Sequence, residues 1–258
     1  PVWLTHASGH AGFANAKAME LAKVARTSPN PPGGTILRDK AGNATGLFNE
    51  RAQGLISDTL SRSRAGRTAA EVEADLRVQI ELASREALSK GITTVTDAGS
   101  PPRTIEVVKK LVDEKKLPIR VWMMIRETPE RLEVDMPKYR VVNYGDKRFT
   151  MRAVKRTIDG ALGSRGAWML APYADLATTS GLNTDSPGDV RETAALAVKY
   201  DFQVAIHAIG DRANREVLDI YEETFKRLRL DGKALRWRIE HAQHISAADI
   251  PRFGQLGV

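Results

Sequence analysis

The chain has 258 residues, 42% hydrophobic and 28% charged, with a formal net charge of +7 and no cysteine. Such a composition belongs to a globular protein long enough to bury a full core. It excludes disulfides, thiolate nucleophiles and cysteine-held metal, and no apolar run reaches the roughly 18 residues of a membrane-crossing helix.

In chain order, Val2 to His10 is a short apolar entry running into HASGH. Gly12 to Arg26 carries Phe13, Ala16, Met19, Leu21 and Val24 at helical spacing and predicts a helix. NPPGG at Asn30 to Gly34 is a turn, and Ile36 to Gly46 predicts a small hairpin. Arg67 to Lys90 predicts a long helix on the stripe Val72, Leu76, Ile80, Ala83 and Ala87, ended by Lys90-Gly91. A regular alternation follows. Strands are expected at 92–96, 119–125, 149–157, 203–207 and 236–241. Helices are expected at Pro102–Lys115, Thr128–Met136, Arg191–Tyr200, Asp211–Leu228 and Ala247–Leu256, the last N-capped by Ser246. Residues 161–187 read as a long loop. Strands alternating with helices imply right-handed crossovers and a parallel sheet, with chemistry at the C-terminal strand ends. The predicted class is α/β, an open sheet or part of a (β/α)8 TIM-type barrel. Residues 1–66 form a region preceding it and residues 67–258 the sheet itself.

Three strand ends draw attention. Lys155 lies in the 149–157 strand, where a buried lysine is costly unless paired, neutralised or modified. Its readings are an ion pair with Asp97 or Asp159, an amine nucleophile, and carbamylation to a metal-bridging carboxylate. His207 and His241 end the next two strands. Each alone is more often a structural imidazole than a metal ligand, and the matched pair raises the metal reading level with the structural one. A helical pairing of His241 with His244 is a further option. Asp211 is expected to cap the helix after His207, with Arg212 able to reach an anionic group. His6 and His10 lie in a Gly-flanked loop and alone read as surface residues.

The segment Arg103 to Arg156 holds 15 basic and 8 acidic residues, as much as the whole positive excess. Its basic residues are scattered among Glu and Asp without stacking aromatics, the pattern of solvated helix faces rather than of a nucleic-acid surface. The opening residues lack a secretory pattern, so a cytoplasmic location, with no nucleic-acid or membrane partner, is expected. The ends, PVWL and FGQLGV, are apolar where natural termini are usually polar, and the chain is expected to be the middle of a longer protein.

The segments GHAGFANAKAMELA, SPNPPGGTILRD, GLFNERA, GITTVTDAG, VKRTIDGALGSRGA, QVAIHAIGDRANREVLDIYE, RIEHAQH and DIPRFGQLGV, in this order, resemble the amidohydrolase superfamily in its YtcJ-like branch. HAIGDRAN and RIEHAQ are the most specific of them. The resemblance implies a metal-dependent hydrolase of C–N bonds in amide-type, non-peptide substrates, on a distorted (β/α)8 barrel with a small β-sandwich. It implies that His207 and His241 are the strand-five and strand-six metal ligands and that Lys155 is the strand-four lysine, carbamylated in binuclear members. The implied metal is divalent, zinc above others, in one or two ions. His10 and Arg165 are implied to be substrate-pocket residues, with Asp211 and Arg212 beside them. The chain departs from the family pattern in lacking the strand-one His-x-His pair, the strand-eight aspartate and the β-sandwich, so it covers strands two to six. On its own it is therefore expected to bind metal weakly and to be inactive. The rival readings are a non-catalytic binding or assembly module, a nucleic-acid-binding protein and a Schiff-base aldolase using Lys155. Oligomerisation through exposed sheet edges is left open.

Overall fold

The computed structural model describes residues 1–6 and 8–258. The first part of the chain builds a four-stranded antiparallel sheet. Its strands are β1 (Trp3–Thr5), β2 (Ala11–Ala14), β3 (Gly34–Arg38) and β4 (Ala44–Glu50), in the order β1-β2-β4-β3, with helix α1 (Ala16–Leu21) after β2. The helix predicted over Gly12–Arg26 is thus only partly formed. Asn15 accepts a hydrogen bond from the Ala18 amide at 3.0 Å and starts the helix there. Gly12 instead pairs in the sheet, where a Cβ would strike the Trp3 ring at 2.1 Å. The predicted hairpin is present as β3 and β4, its turn held by Asp39, whose Oδ1 accepts from the Ala41 and Asn43 amides. A 3-10 turn (Arg51–Gln53) and helix α2 (Gly54–Ser63) follow, and Ala14, Ala18, Ile36, Phe48, Ala52 and Ile56 form an apolar cluster under this sheet.

The rest is the alternating unit. Helix α3 (Ala69–Ser89) begins at a capping box in which Thr68 and Glu71 satisfy each other's amides. Then come β5 (Thr94–Ser100), α4 (Pro102–Asp113), β6 (Arg120–Ile125), α5 (Pro129–Tyr139), β7 (Val141–Asn143), the short turn α6 (Tyr144–Lys147) and β8 (Phe149–Thr157). After a long loop, α7 (Pro187–Tyr200), β9 (Gln203–Ala208), α8 (Asp211–Leu228), α9 (Gly232–Leu235), β10 (Arg238–His241) and α10 (Ile250–Leu256) complete the chain. The order β10-β9-β8-β6-β5 is parallel throughout, and β7 adds antiparallel to β8. This is a half-barrel: a parallel sheet flanked by helices. Its core is built from Met123, Ile125, Met151, Val154, Val204, Ile206, Val217 and Tyr221, among others.

Three boundaries differ from the sequence reading for identifiable reasons. α7 starts at Pro187 because Ser186 and Asp189 form a second capping box. α10 starts at Ile250, not at Ala247, because the Ser246 hydroxyl accepts from Arg215 at 3.2 Å instead of capping a helix. β5 runs on to Ser100 and places Asp97 inside the strand, its carboxylate accepting from Gly99 and Ser100, both at 3.1 Å. No helix among the described residues is long and apolar enough to cross a membrane.

Candidate functional site

The C-terminal ends of β6, β8, β9 and β10 open into a cleft of about 850 Å³ whose wall includes Arg126, Lys155, Arg156, Thr157, His207 and His241. The loop after β1 and the end of β4 close it from the other side with His10, Glu50 and Arg51. Register explains the gathering. Thr157 pairs with His207 across β8 and β9, and His207 with Glu240 across β9 and β10, while Lys155 lies level with Ala205 and His241 with Ala208, so the three side chains leave neighbouring strands within one residue or two of the same level.

His207 is buried and its ring centre lies 4.6 Å from that of His241 and 5.0 Å from that of His10. Burial, with the positive charge of Lys155 second, pushes the His207 imidazole down to about 3, so it is neutral at physiological pH. Its Nε2 is buried without a hydrogen-bond partner. His241 is also shifted downward, again by burial first and Lys155 second, and its backbone is left-handed at φ +75°. That conformation is unfavourable for a side chain of this size and is typical of functional positions.

Lys155 is only 5% exposed. Its Nζ donates to the Arg156 carbonyl at 2.9 Å, and among the described residues it forms no ion pair, with Asp97, Asp159 or any other carboxylate. Burial and then the neighbouring Arg126 bring its amine down to about 8. Gly99, at φ +118°, lies under it, where a Cβ would approach the Lys155 and Arg126 Cβ atoms at 3.0 and 3.1 Å. The ion-pair reading of Lys155 therefore gives way to an unpaired amine, still mainly charged at pH 7 but far easier to deprotonate than a free lysine.

Asp159 does other work. It is fully buried and accepts three backbone hydrogen bonds, from Ile209 at 3.0 Å, Gly210 at 2.8 Å and Trp168 at 2.9 Å. Burial raises its carboxyl to about 6 against the lowering effect of those bonds. Its Oδ1 lies 3.5 Å from His207 Nε2, too far and too occupied to satisfy that nitrogen. Asp159 ties the loop after β8 to the turn that follows His207.

The structure does not bring every predicted residue to the cleft. Arg165 is half-exposed and paired with Asp175 at 2.8 Å. Asp211 accepts from the Leu170 amide at 2.8 Å, and the cap position of α8 is Gly210, not Asp211. The Arg212 guanidinium stacks on Trp168 at 4.4 Å. All three pin the 161–187 loop instead of lining the cleft. His6 is exposed and bonds Ser8. His244 lies beyond β10 on irregular backbone, so the helical His241–His244 pair does not form.

Sequence reasoning missed the acidic and guanidinium part of the wall. Asp185 pairs with Arg51 and with Arg156, the latter at 3.0 Å, and accepts from the Thr157 amide. Arg156 also donates to the Glu127 carbonyl at 2.8 Å. Glu50 is buried and bonds His10 Nδ1 at 2.8 Å. No spacing rule marks these groups, because they meet across long sequence separations.

A divalent metal suits these donors in part. His207 offers a neutral imidazole with a buried, unpartnered nitrogen beside a second imidazole, and Lys155 offers an amine that burial makes easier to deprotonate. Among the described residues, however, no group of three or more His, Cys, Asp or Glu side chains is arranged to hold a metal ion.

A model of the amidohydrolase family matches residues 1–258. The protein LONG AFTER FAR-RED 3 of Arabidopsis thaliana is 34% identical over 100% of this chain and 44% of its own length. The N-substituted formamide deformylase of Arthrobacter pascens is 28% identical over 100% of this chain and 47% of its own. YtcJ of Bacillus subtilis (strain 168) is 28% identical over 86% of this chain and 41% of its own length. The chain thus spans about half the length of the curated relatives it matches. A crystal structure of an uncharacterized metal-dependent hydrolase from Pyrococcus horikoshii OT3 superposes with a TM-score of 0.70 at 26% identity, covering 100% of this chain and 47% of that one.

Proposed function

This chain belongs to the amidohydrolase family, and from that premise we propose that its cleft serves the hydrolysis of a C–N bond in an amide-type, non-peptide small molecule. The observation that carries the reading is the meeting of Lys155, His207 and His241 at three successive strand ends, with His207 neutral and its Nε2 unpartnered. The deformylase relative, named for N-substituted formamides, supports this substrate class.

His207 and His241 would hold a divalent metal, zinc in our reading, with Lys155 joining as a carbamate. When bound, such a metal lowers the pKa of its water and polarises the substrate carbonyl. The chain's own groups do the rest. The buried imidazoles stay unprotonated and available. Lys155, its amine lowered to about 8, has a minor neutral fraction at pH 7 that is able to add carbon dioxide with loss of a proton. Asp159 holds the backbone that carries His207. Residues 1–66 supply the substrate-side wall and residues 67–258 the partial barrel. We assign the protein a cytoplasmic location and no nucleic-acid or membrane partner.

The donor set is incomplete, so we propose that these 258 residues alone bind metal weakly and do not turn over substrate. The shortage of metal-holding groups among the described residues also supports a second reading, a non-catalytic binding module. The protein as its natural source produces it, assayed with formamides and acetamides of simple amines in the presence of zinc, should release amine. His207→Gln should lower that rate by at least about a hundredfold. An unchanged rate in His207→Gln overturns the site assignment, and no release from any amide favours the module.

A further inference from the structure

Glu50 is a buried carboxylate that the hydrolase reading leaves without a task. Its backbone sits at φ 52°, ψ −129°, a region a non-glycine residue occupies only under constraint. Three donors converge on its side chain, which is 5% exposed: His10 Nδ1 on Oε2 at 2.8 Å, and the Ser164 hydroxyl at 2.7 Å and the Ala161 amide at 3.3 Å on Oε1. The Glu50 amide donates in turn to the His10 carbonyl at 2.9 Å. Gly160 and Gly166 leave space for this carboxylate: a Cβ on either would lie within 2.4 and 2.7 Å of Oε1. The strained backbone, the two glycines and the converging donors all hold the same group against the same ring.

A carboxylate accepts hydrogen bonds and does not donate them. His10 Nδ1 must therefore carry a proton, and in a neutral ring that leaves Nε2, at the opposite edge, as the lone-pair acceptor. His10 lines the cleft beside His207, and among the described residues its Nε2 has no hydrogen-bond partner. We propose that Glu50 is a positioning residue that locks His10 in the Nδ1–H tautomer, so that Nε2 presents a fixed acceptor to the cleft and selects ligands with an N–H at that point, secondary amides over tertiary ones. The selection rests on the amide-hydrolase reading; the tautomer does not.

The test uses protein labelled with nitrogen-15 in histidine and long-range proton–nitrogen correlation spectra, with His10 assigned by its loss in His10→Gln. The expected spectrum shows His10 with Nδ1 protonated and Nε2 bare. Titration with N-methylformamide should shift the Nε2 signal, at an affinity about tenfold above that of N,N-dimethylformamide, the worth of one hydrogen bond. Glu50→Gln should populate the Nε2–H tautomer and erase the preference. A wild-type His10 in the Nε2–H form, or equal responses to the two formamides, overturns the proposal even if Glu50→Gln fails to fold. An Nδ1–H tautomer with selective binding but no amine release in the turnover assay leaves this proposal standing and sinks the hydrolase reading alone.

Discussion

Replacing Lys155 by methionine should make the protein more stable, not less. The amine is buried, has one backbone carbonyl as partner, and is brought from 10.5 to about 8. Holding it charged in the folded state below pH 8 costs roughly 3 kcal/mol, at about 1.4 kcal/mol for each pH unit between the two values. Methionine keeps the apolar stem at similar volume and gives up one hydrogen bond to the Arg156 carbonyl, about 1 kcal/mol. The variant should therefore gain about 2 kcal/mol at pH 7. The sign of the pH dependence follows. Because the folded pKa is depressed, the unfolded chain binds the proton more readily between about 8 and 10.5. Wild-type stability thus rises with pH across that window, and the advantage of the variant shrinks by about 2 kcal/mol from pH 7 to pH 9.5. Urea unfolding followed by circular dichroism in bicarbonate-free buffer at both pH values measures it. A Lys155→Met protein less stable than wild type at pH 7, or a difference that ignores pH, would show that the buried amine is not a destabilising charge.

Two further outcomes follow from the same geometry. Asp159→Ala strands three buried backbone N–H groups, a loss of about 6 kcal/mol, and relieves a carboxylate raised from 3.8 to about 6, a gain of about 3 kcal/mol at neutral pH. The net loss of about 3 kcal/mol should appear as a lower urea midpoint, and a midpoint equal to wild type would contradict the role given to this residue. Gly99→Ala forces a side chain to φ +118° against Lys155 and Arg126, which should cost about 1–3 kcal/mol, read in the same assay. Retention of wild-type stability there would show that the strand end under Lys155 is not tightly fitted.

The alternating unit was legible because its signals are local. The strand 149–157 and the helix Asp211–Leu228 have the same bounds in the structure as in the sequence reading. Lys155, His207 and His241 could be gathered from topology alone, since parallel strands deliver their ends to one side. The first 50 residues were harder. The apolar spacing of Phe13, Ala16 and Met19 fits a helix, but Phe13 lies in a strand paired with β1 and β4 across distant sequence. Glu50 sits in the GLFNERA segment, where nothing in composition or spacing sets it apart; its partners Ala161 and Ser164 are more than 100 residues away. Arg165 and Arg212 carry charge in motif-like surroundings, yet Asp175 and the Trp168 ring take them up locally. Which side of a loop a charged group faces is decided by such contacts, and they cannot be read from a spacing.

The central claim is that His207 and His241, with Lys155, are part of a metal site. Isothermal titration of the 258-residue chain with zinc chloride in bicarbonate buffer tests it most directly. Weak 1:1 binding is expected, of about micromolar affinity or weaker because the donor set is partial, abolished by His207→Gln or His241→Gln. Tight nanomolar binding, or binding that survives both substitutions, would contradict it.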